Sequence, residues 1–214
     1  MKMIDKGTYV RDGRQESNTY FATQHIYSAY AMTEMPVNSK LKTVYGVRLE
    51  QAQNYYTGRN NSGSVVYTNE LVLDELSVLP AFNFVYKLID SLFNNMNLRG
   101  SYAKTVARPS FKEKSISQVY DPIVGRRFNG NLDLIQTDIH NVDLRWEHFY
   151  GRTEVLSASV FYKKFNNPIE IVAFDLAPDE VQPLNTGEAN VYGVELEFRK
   201  RLGFINEDDK KLFV

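Results

Sequence analysis

Pairs of acidic residues are the side chains of this chain that could carry out acid–base chemistry. Asp143 and Glu147 form one pair, and Glu195 and Glu197 form the other. In a β-strand, alternate residues share a face about 7 Å apart, a separation that a general acid and a general base could use. Neither pair is accompanied by a nucleophile, a partner base or a metal-binding pattern. We therefore expect no catalytic residues and predict that the protein is not an enzyme.

Histidine, glycine and cysteine usage predicts neither a cofactor nor a metal site. His25, His140 and His148 do not have the spacing of metal ligands, and the last two would lie about 27 Å apart in one strand. Gly125 and Gly130 have neither the spacing nor the lysine of a phosphate-binding loop. The chain contains no cysteine, which excludes thiol catalysis, disulfides and cysteine-based zinc sites.

Charge and hydropathy narrow the class of protein further. The net charge is −1, so no electrostatic attraction to nucleic acid is expected. No uninterrupted apolar run approaches the roughly 18 residues that a membrane-spanning helix needs. The counts of 14 tyrosines and 13 phenylalanines are high, and such residues suit both β-strands and membrane–water interfaces.

The elements that position these residues are β-strands, because apolar and polar residues alternate along most of the chain. In residues 141–147, one face holds Val142, Leu144 and Trp146, and the other holds Asn141, Asp143, Arg145 and Glu147. The pattern predicts strands near 20–34, 41–54, 72–88, 96–105, 140–149, 155–165 and 190–200, with a possible eighth beginning at Lys211. The apolar face of such a sheet is either the core of a soluble protein or the lipid-facing side of a transmembrane barrel.

The connections between these strands alternate between short and long. Short connections are predicted at 36–39, 90–95, 150–152 and 203–209, and long ones at 55–71, 106–139 and 166–189. In an up-and-down antiparallel sheet, this alternation places all turns at one end and all long loops at the other. Outer-membrane barrels have this asymmetry, whereas a soluble Greek-key sandwich has no reason to keep it.

Five segments carry a resemblance to a known family. They are LPAFN at 79–83, LRGSYAKTVARPSF at 98–111, FYKKFNNPIE at 161–170, YGVELE at 192–197 and YGVRLE at 45–50. Together they resemble TonB-dependent outer-membrane receptors, especially those of Bacteroidetes-like bacteria, over roughly residues 20–200. The resemblance implies a barrel of about 22 strands closed by an N-terminal plug. It also implies a nutrient bound by loops and plug, and energy supplied by the inner-membrane TonB complex through a TonB box.

This sequence departs from the family pattern by omission. We find no plug, TonB box, signal peptide or terminal aromatic strand, and residues 1–7 lack the apolar region of a signal peptide. Residues 1–214 are therefore expected to be a partial receptor barrel that is incomplete at both ends. The implied partners are outer-membrane lipid, the remaining strands, the receptor's own plug, the TonB complex and a nutrient of unknown identity.

Three sets of residues are candidates for function within such a barrel. The inward charges, Arg48, Glu50, Arg99, Asp143, Arg145, Glu147, Glu195, Glu197 and Arg199, form either a substrate path or, as we favour, a ladder of opposite charges. Interface belts are predicted from Trp146, Phe149, Tyr150, Tyr86 and Phe198 near the turns and from Tyr102, Tyr162 and Tyr192 near the loops. The long loops offer Tyr120, Asp121, Arg126, Arg127, Phe128, Asn129, Phe174, Asp175, Asp179 and Glu180, which either contact a ligand or cover the barrel mouth. No residue is assigned to ligand binding.

We predict an all-β fold, an antiparallel up-and-down meander that is part of a large transmembrane β-barrel. The function predicted is that of an outer-membrane TonB-dependent receptor, which takes up a scarce, bulky nutrient across the outer membrane of a Gram-negative bacterium. Two alternatives remain at this point. One is a self-contained eight-stranded outer-membrane barrel that acts as an anchor or adhesin, and the other is a soluble ligand-binding β-barrel.

Overall fold

The computed structural model describes residues 15–151 and 153–201. In this part of the chain, a short 3-10 helix at Glu16–Asn18 precedes eleven β-strands. They are β1 Phe21–Pro36, β2 Leu41–Arg59, β3 Val66–Ser91, β4 Asn94–Ala107, β5 Gln118–Asp121, β6 Arg126–Asn129, β7 Thr137–Tyr150, β8 Glu154–Asn166, β9 Ile169–Phe174, β10 Ala177–Asn185 and β11 Glu188–Arg199. Among the described residues, no helix could span a membrane.

The strands form two sheets. The larger sheet has seven strands in the order β1-β2-β3-β4-β7-β8-β11, and every neighbouring pair in it is antiparallel. Each of these strands pairs with the next strand of the same sheet along the chain, which makes the sheet an up-and-down meander. The predicted all-β fold class is therefore confirmed, and each of the seven predicted strands overlaps one strand of this sheet.

The smaller sheet was not predicted. Its four strands have the order β5-β6-β10-β9 and come from the two segments 106–139 and 166–189, which sequence analysis treated as loops. β6 and β10 pair in parallel, with Arg127 opposite Glu180 and Phe128 opposite Val181. Because these partners lie 53 positions apart, no local pattern of residues could have indicated their pairing. We call these four strands the loop sheet.

The first long connection is also shorter than predicted. β2 and β3 continue into the predicted loop 55–71 and pair as far as Arg59 and Val66, with register shifts between Asn54 and Tyr55 and between Tyr56 and Gly58. Polar residues occupy both faces of this extension, so the alternation that marks the other strands fades before the strands end. The tip of this hairpin lies at residues 60–65, between the end of β2 and the start of β3.

Turns and loops lie at opposite ends of the larger sheet, as predicted. At the turn between β1 and β2, the side chain of Asn38 accepts hydrogen bonds from the backbone N–H groups of Lys40 at 2.9 Å and Leu41 at 2.8 Å. Gly151 follows β7 with φ of +73°, a left-handed conformation that glycine adopts without strain. The predicted turn at 203–209, the possible strand from Lys211 and the N-terminal residues 1–7 lie outside the described residues.

The two faces of the larger sheet have the reverse of the burial found in a soluble protein. We call the apolar side the outer face and the opposite side the inner face. On the outer face, Val47, Leu49 and Val194 are 40%, 46% and 69% exposed. On the inner face, Ser77 and Ser157 are 3% and 1% exposed, and they form hydrogen bonds with Gln136 and Glu197 respectively. A contiguous apolar surface that extends across a whole sheet indicates that the surrounding medium is apolar and is not water.

The height of the apolar outer face matches a bilayer. On β8 the outer residues between Glu154 and Lys164 are Leu156, Ala158, Val160 and Tyr162. The ten-residue interval corresponds to about 33 Å along a strand, which a tilt of about 40° reduces to roughly 25 Å. On β4 the same interval separates Asn94 from Lys104. Polar residues thus border an apolar band of about the thickness of the hydrocarbon layer.

Aromatic rings and histidines gather at both ends of this band. Near the turns, the ring of His148 lies 6.1 Å from Trp146 and 5.4 Å from Tyr150. Near the loops, the ring of His140 lies 6.1 Å from Tyr102, whose hydroxyl is 3.0 Å from Nδ1. Tyr162 and Tyr192 stand opposite each other on the outer face, as the belt prediction requires. The prediction was wrong for Phe149, because strand alternation places it on the inner face opposite Val155.

We predict that Trp146 contacts lipid chains when the protein is inserted in a bilayer. It is the only tryptophan of the chain, so its fluorescence reports one position. Lipids brominated on their chains should quench it strongly, and aqueous acrylamide should quench it weakly. A matched control is the double variant Trp146→Phe with Phe161→Trp, which moves the indole to the inner face and should reverse the two sensitivities. Strong acrylamide quenching of Trp146 without quenching by brominated lipid would contradict the assignment of faces.

Candidate functional site

The candidate functional site is the inner face, where the sheet register brings charged residues from four strands together. Arg99 of β4 lies directly opposite Arg145 of β7, and Glu147 follows two positions later on the same face. Two opposed arginines would repel each other, since like charges directly opposite in a sheet are destabilising. The local arrangement therefore needs an anion between them.

Glu147 supplies this anion. Its carboxylate accepts from Nε of Arg99 at 2.5 Å and from Nε of Arg145 at 3.3 Å, and its side chain is only 6% exposed. Arg145 also donates to Glu197 of β11 at 2.8 Å, and Arg199 donates to Glu197 at 3.0 Å. We call this continuous series Arg99–Glu147–Arg145–Glu197–Arg199 the charge ladder. The favoured interpretation of the inward charges as a ladder of opposite charges agrees with these contacts.

A second cluster joins the sheet to its longest connection. Glu50 of β2 is 9% exposed, and its two carboxylate oxygens accept from Arg48 and from Arg108, each at 3.2 Å. Arg108 follows directly after β4, so this ion pair crosses the inner face of β3 and holds the start of the segment that leads to β5. Sequence analysis did not select Arg108, although its place between the end of a strand and Pro109 marks the point where the chain leaves the sheet.

The remaining inward acids bind hydroxyl groups instead of arginines. Asp143 accepts from the hydroxyl of Ser101 at 3.2 Å, and Glu195 accepts from Ser159 at 3.5 Å. The carboxylates considered for acid–base chemistry thus have other partners: Glu147 and Glu197 both accept from the guanidinium group of Arg145, and Asp143 and Glu195 accept from serines. These contacts fix the register of neighbouring strands.

The segments that connect the loop sheet to the larger sheet cover part of the inner face and are held there by buried polar contacts. Lys114 is 4% exposed, and its Nζ donates to the carbonyl oxygens of Leu132 and, at 2.5 Å, of Leu134. Loss of solvent on burial lowers the pKa of Lys114, and the carboxylates of Asp133 and Glu75 offset this only in part. Below the loop sheet, Gln136 donates to the hydroxyl of Ser77 at 2.8 Å.

Several loop residues proposed as ligand contacts instead contact each other. Glu180 accepts from Arg127 at 3.4 Å and from Asn129 at 3.1 Å, while Asp121 accepts from the backbone of Ile123 at 2.9 Å. The ring of Phe128 lies 4.6 Å from the ammonium group of Lys112. Tyr120 remains 60% exposed and Phe174 40% exposed. Arg126, Asp175 and Asp179 are also exposed. This arrangement agrees with loops that fold over the barrel mouth.

Two adjacent grooves remain open on the inner face. The first has a volume of about 400 Å³ and is mostly apolar, with Tyr30, Met32, Leu79 and Ala81 among its lining residues and Arg48 at one side. The second has a volume of about 380 Å³ and is lined on the inner face by Val85, Arg99, Ser101, Asp143 and Arg145. Both grooves include Val44 and Asn83, which makes them continuous. Among the described residues, no group of three potential metal ligands comes together.

Comparisons with known proteins agree with this architecture. The family model for the TonB dependent receptor-like β-barrel matches residues 4–209. The chain is similar in structure to the siderophore receptor PirA from Pseudomonas aeruginosa, with a TM-score of 0.47, 12% sequence identity and coverage of 85% of this chain and 40% of that one. For PirA from Acinetobacter baumannii the TM-score is 0.41, the identity 13%, and the coverage 85% of this chain and 35% of that one. The chain thus spans less than half the length of either receptor. No curated protein matches the sequence.

We predict that Glu147 is the carboxylate on which the charge ladder depends. Replacing it with leucine leaves Arg99 and Arg145 opposed without their shared anion, and should lower the free energy of unfolding by roughly 3 kcal/mol. The control, Glu195→Gln, alters an exposed acid bound only by a serine and should change stability by less than about 0.5 kcal/mol. Urea unfolding of the protein in lipid vesicles measures both variants. Equal losses would refute the special position of Glu147.

We predict that Lys114 stabilises the loop sheet independently of the larger sheet. Lys114→Met leaves two buried carbonyl groups without their donor, which should speed amide hydrogen exchange in residues 110–136 by about tenfold or more while β4 and β7 keep their protection. The control Lys112→Met removes an ammonium group whose contact is the half-buried ring of Phe128, and it should have a much smaller effect.

The buried amine should also give the loop sheet a pH dependence. The folded-state pKa of Lys114 lies below its ordinary value of 10.5, so between these two values the unfolded segment binds more protons than the folded one. The protection of the wild-type segment should therefore increase, relative to Lys114→Met, as the pH rises towards 10.5. A wild-type segment that loses protection relative to the variant over this range would contradict the assignment.

Proposed function

Because the chain belongs to the TonB dependent receptor-like β-barrel family, we propose that it forms part of the barrel of an outer-membrane receptor that imports a scarce, bulky nutrient. This family consists of transport proteins rather than enzymes. The single observation that carries the proposal is the inverted sheet, whose apolar face is exposed and whose opposite face carries the charges and is partly covered by connecting segments. Such a sheet is suited to a barrel that has lipid outside and water or protein inside.

The arrangement of edges supports the proposal that further strands complete the barrel. Within the described residues, β1 and β11 occupy the two ends of the seven-stranded sheet and do not pair with each other. An open strand edge in hydrocarbon would leave backbone N–H and C=O groups without partners, at a cost of several kcal/mol for each group. We therefore propose that residues 1–214 are one section of a larger barrel and that the remaining strands of the receptor cover both edges.

The proposed partners are those that membership of this family implies. Outer-membrane lipid contacts the apolar outer face, and the plug of the receptor and its nutrient occupy the space beside the inner face. Energy for import comes from the inner-membrane TonB complex, which acts on a part of the receptor outside this barrel section. The location proposed is the outer membrane of a Gram-negative bacterium.

The two alternatives considered from the sequence have less support. A soluble ligand-binding barrel would bury its apolar face, whereas Leu196 and Val194 of β11 are 80% and 69% exposed. A self-contained eight-stranded barrel fills its lumen with side chains. Here the inner face has two open grooves of about 400 and 380 Å³, the second lined in part by the small residue Ser101, which leave room for a separate occupant.

The test uses the complete receptor in its own cells. We expect the wild-type receptor in the outer-membrane fraction, and we expect its deletion to abolish uptake of one nutrient class when radiolabelled extracts of the growth medium are offered. Uptake should also stop when a protonophore dissipates the inner-membrane potential, because the TonB complex depends on it. Nutrient uptake that continues without the receptor or without the potential would contradict the proposed function.

A further inference from the structure

In two ion pairs of the inner face, the arginine is exposed and its acidic partner is covered. Arg99 is 50% exposed whereas its partner Glu147 is 6% exposed, and Arg48 is 43% exposed whereas Glu50 is 11% exposed. At these two places a molecule in the lumen meets a guanidinium group before it meets the carboxylate that balances it. Arg99 and Arg48 therefore offer N–H donors to the lumen.

Of the two arginines that line the charged groove, Arg99 has the larger unused hydrogen-bonding capacity. Only its Nε donates, to Glu147, and its two terminal nitrogens donate no hydrogen bond to any described residue. Arg145 uses Nε and one terminal nitrogen. The terminal nitrogens of a guanidinium group form a planar fork that fits the two oxygens of a carboxylate or a phosphate. The groove lining contains two cations, Arg99 and Arg145, and one acid, Asp143, so its formal net charge is +1.

The neighbouring groove complements this charged site with an apolar one. Met32, Leu79 and Ala81 form an apolar surface, and the exposed ring of Tyr30 borders it. The groove meets the charged one at Val44 and Asn83. Each groove, at about 400 and 380 Å³, is within the range of roughly 300–1,000 Å³ found for small-molecule sites.

We propose that these two grooves together bind an anion that carries an apolar body, as a station on the route of the imported nutrient along the barrel wall. The carboxylate or phosphate group contacts the terminal nitrogens of Arg99, with Arg145 beside it. The apolar body lies across Met32, Leu79 and Ala81 towards Tyr30. The proposal rests on the proposed function in one respect: the ligand reaches the inner face because the protein is part of an import barrel.

The test measures binding of a defined probe to the complete receptor held in amphipol. The probe is 4-phenylbutyrate, which has a carboxylate on a short apolar body, and its comparison is the uncharged 4-phenylbutanamide. Saturation-transfer NMR titrations should show saturable binding of the acid, with the amide at least about tenfold weaker, since a hydrogen bond to a charged group is lost. Arg99→Gln should reduce binding of the acid to that of the amide.

Matched variants separate binding from folding. Arg199→Gln removes the arginine at the other end of the ladder, outside both grooves, and should leave binding of the acid unchanged. Ala81→Trp fills the apolar groove without altering the ladder and should weaken acid and amide alike, which keeps the proposal testable if Arg99→Gln fails to fold. Heat-modifiable electrophoretic mobility identifies the folded barrel in each sample.

Three results would overturn the proposal. They are equal binding of acid and amide, unchanged binding by folded Arg99→Gln, and binding that appears only after deletion of the plug. The last would mean that an acidic side chain of the plug occupies the groove in the receptor. Failure of this proposal is distinguishable from failure of the proposed function, because outer-membrane location and energised uptake are measured on the same wild-type receptor.

Discussion

The constraint on which the rest of the structure depends is that backbone groups facing hydrocarbon must find all their hydrogen bonds within the sheet. The five inner strands of the larger sheet satisfy this constraint, because each pairs on both sides with an antiparallel neighbour. They are β2, β3, β4, β7 and β8. The register in turn determines which side chains stand opposite each other. A slip of β7 by one residue against its neighbours would send Trp146 and Leu144 to the lumen and Glu147 into lipid, so the two-faced pattern and the pairing enforce each other.

The charged face follows from this register and also stabilises it. Opposing Arg99 to Arg145 is unfavourable by itself, and the placement of Glu147 between them turns the repulsion into two ion pairs. The same buried carboxylate would be costly alone, since an unpaired charge shielded from water loses its hydration. The ion pairs of the ladder can thus form only when all its members are in place. They stabilise one register of β4, β7, β8 and β11 and disfavour other registers. The guanidinium groups of Arg99 and Arg48 are exposed because their acidic partners, Glu147 and Glu50, occupy the positions shielded from water.

Most of the larger sheet could be predicted from the sequence, because its signal is local. Period-two alternation at Val142, Leu144 and Trp146 needs no knowledge of distant residues, and the alternation of connection lengths indicated the order of the strands. The loop sheet could not be predicted, since β6 and β10 meet across 53 positions and each is polar on both sides. Phe149 was predicted to lie in the interface belt because it is aromatic, but alternation along the strand places it on the inner face. The residues of the ladder were predicted as a set. Which carboxylate would be buried could not be predicted, because its burial depends on contacts between strands that no local sequence pattern indicates. Arg108 and Lys114 were missed for the same reason.

The parallel pairing of β6 with β10 has a consequence for how such a protein can change over generations. The two loops that form the loop sheet are separate in the sequence, but Asn131 donates to the carbonyl of Pro183 at 3.1 Å, and Gln182 donates to the carbonyl of Gly130 at 3.2 Å. Asn185 contacts both the N–H and the C=O of Ile135, at 2.9 and 3.1 Å. Recombination that replaced one loop would orphan these donors and acceptors in the other. The two loops therefore form one structural unit, in which a change to one loop requires a matching change in the other.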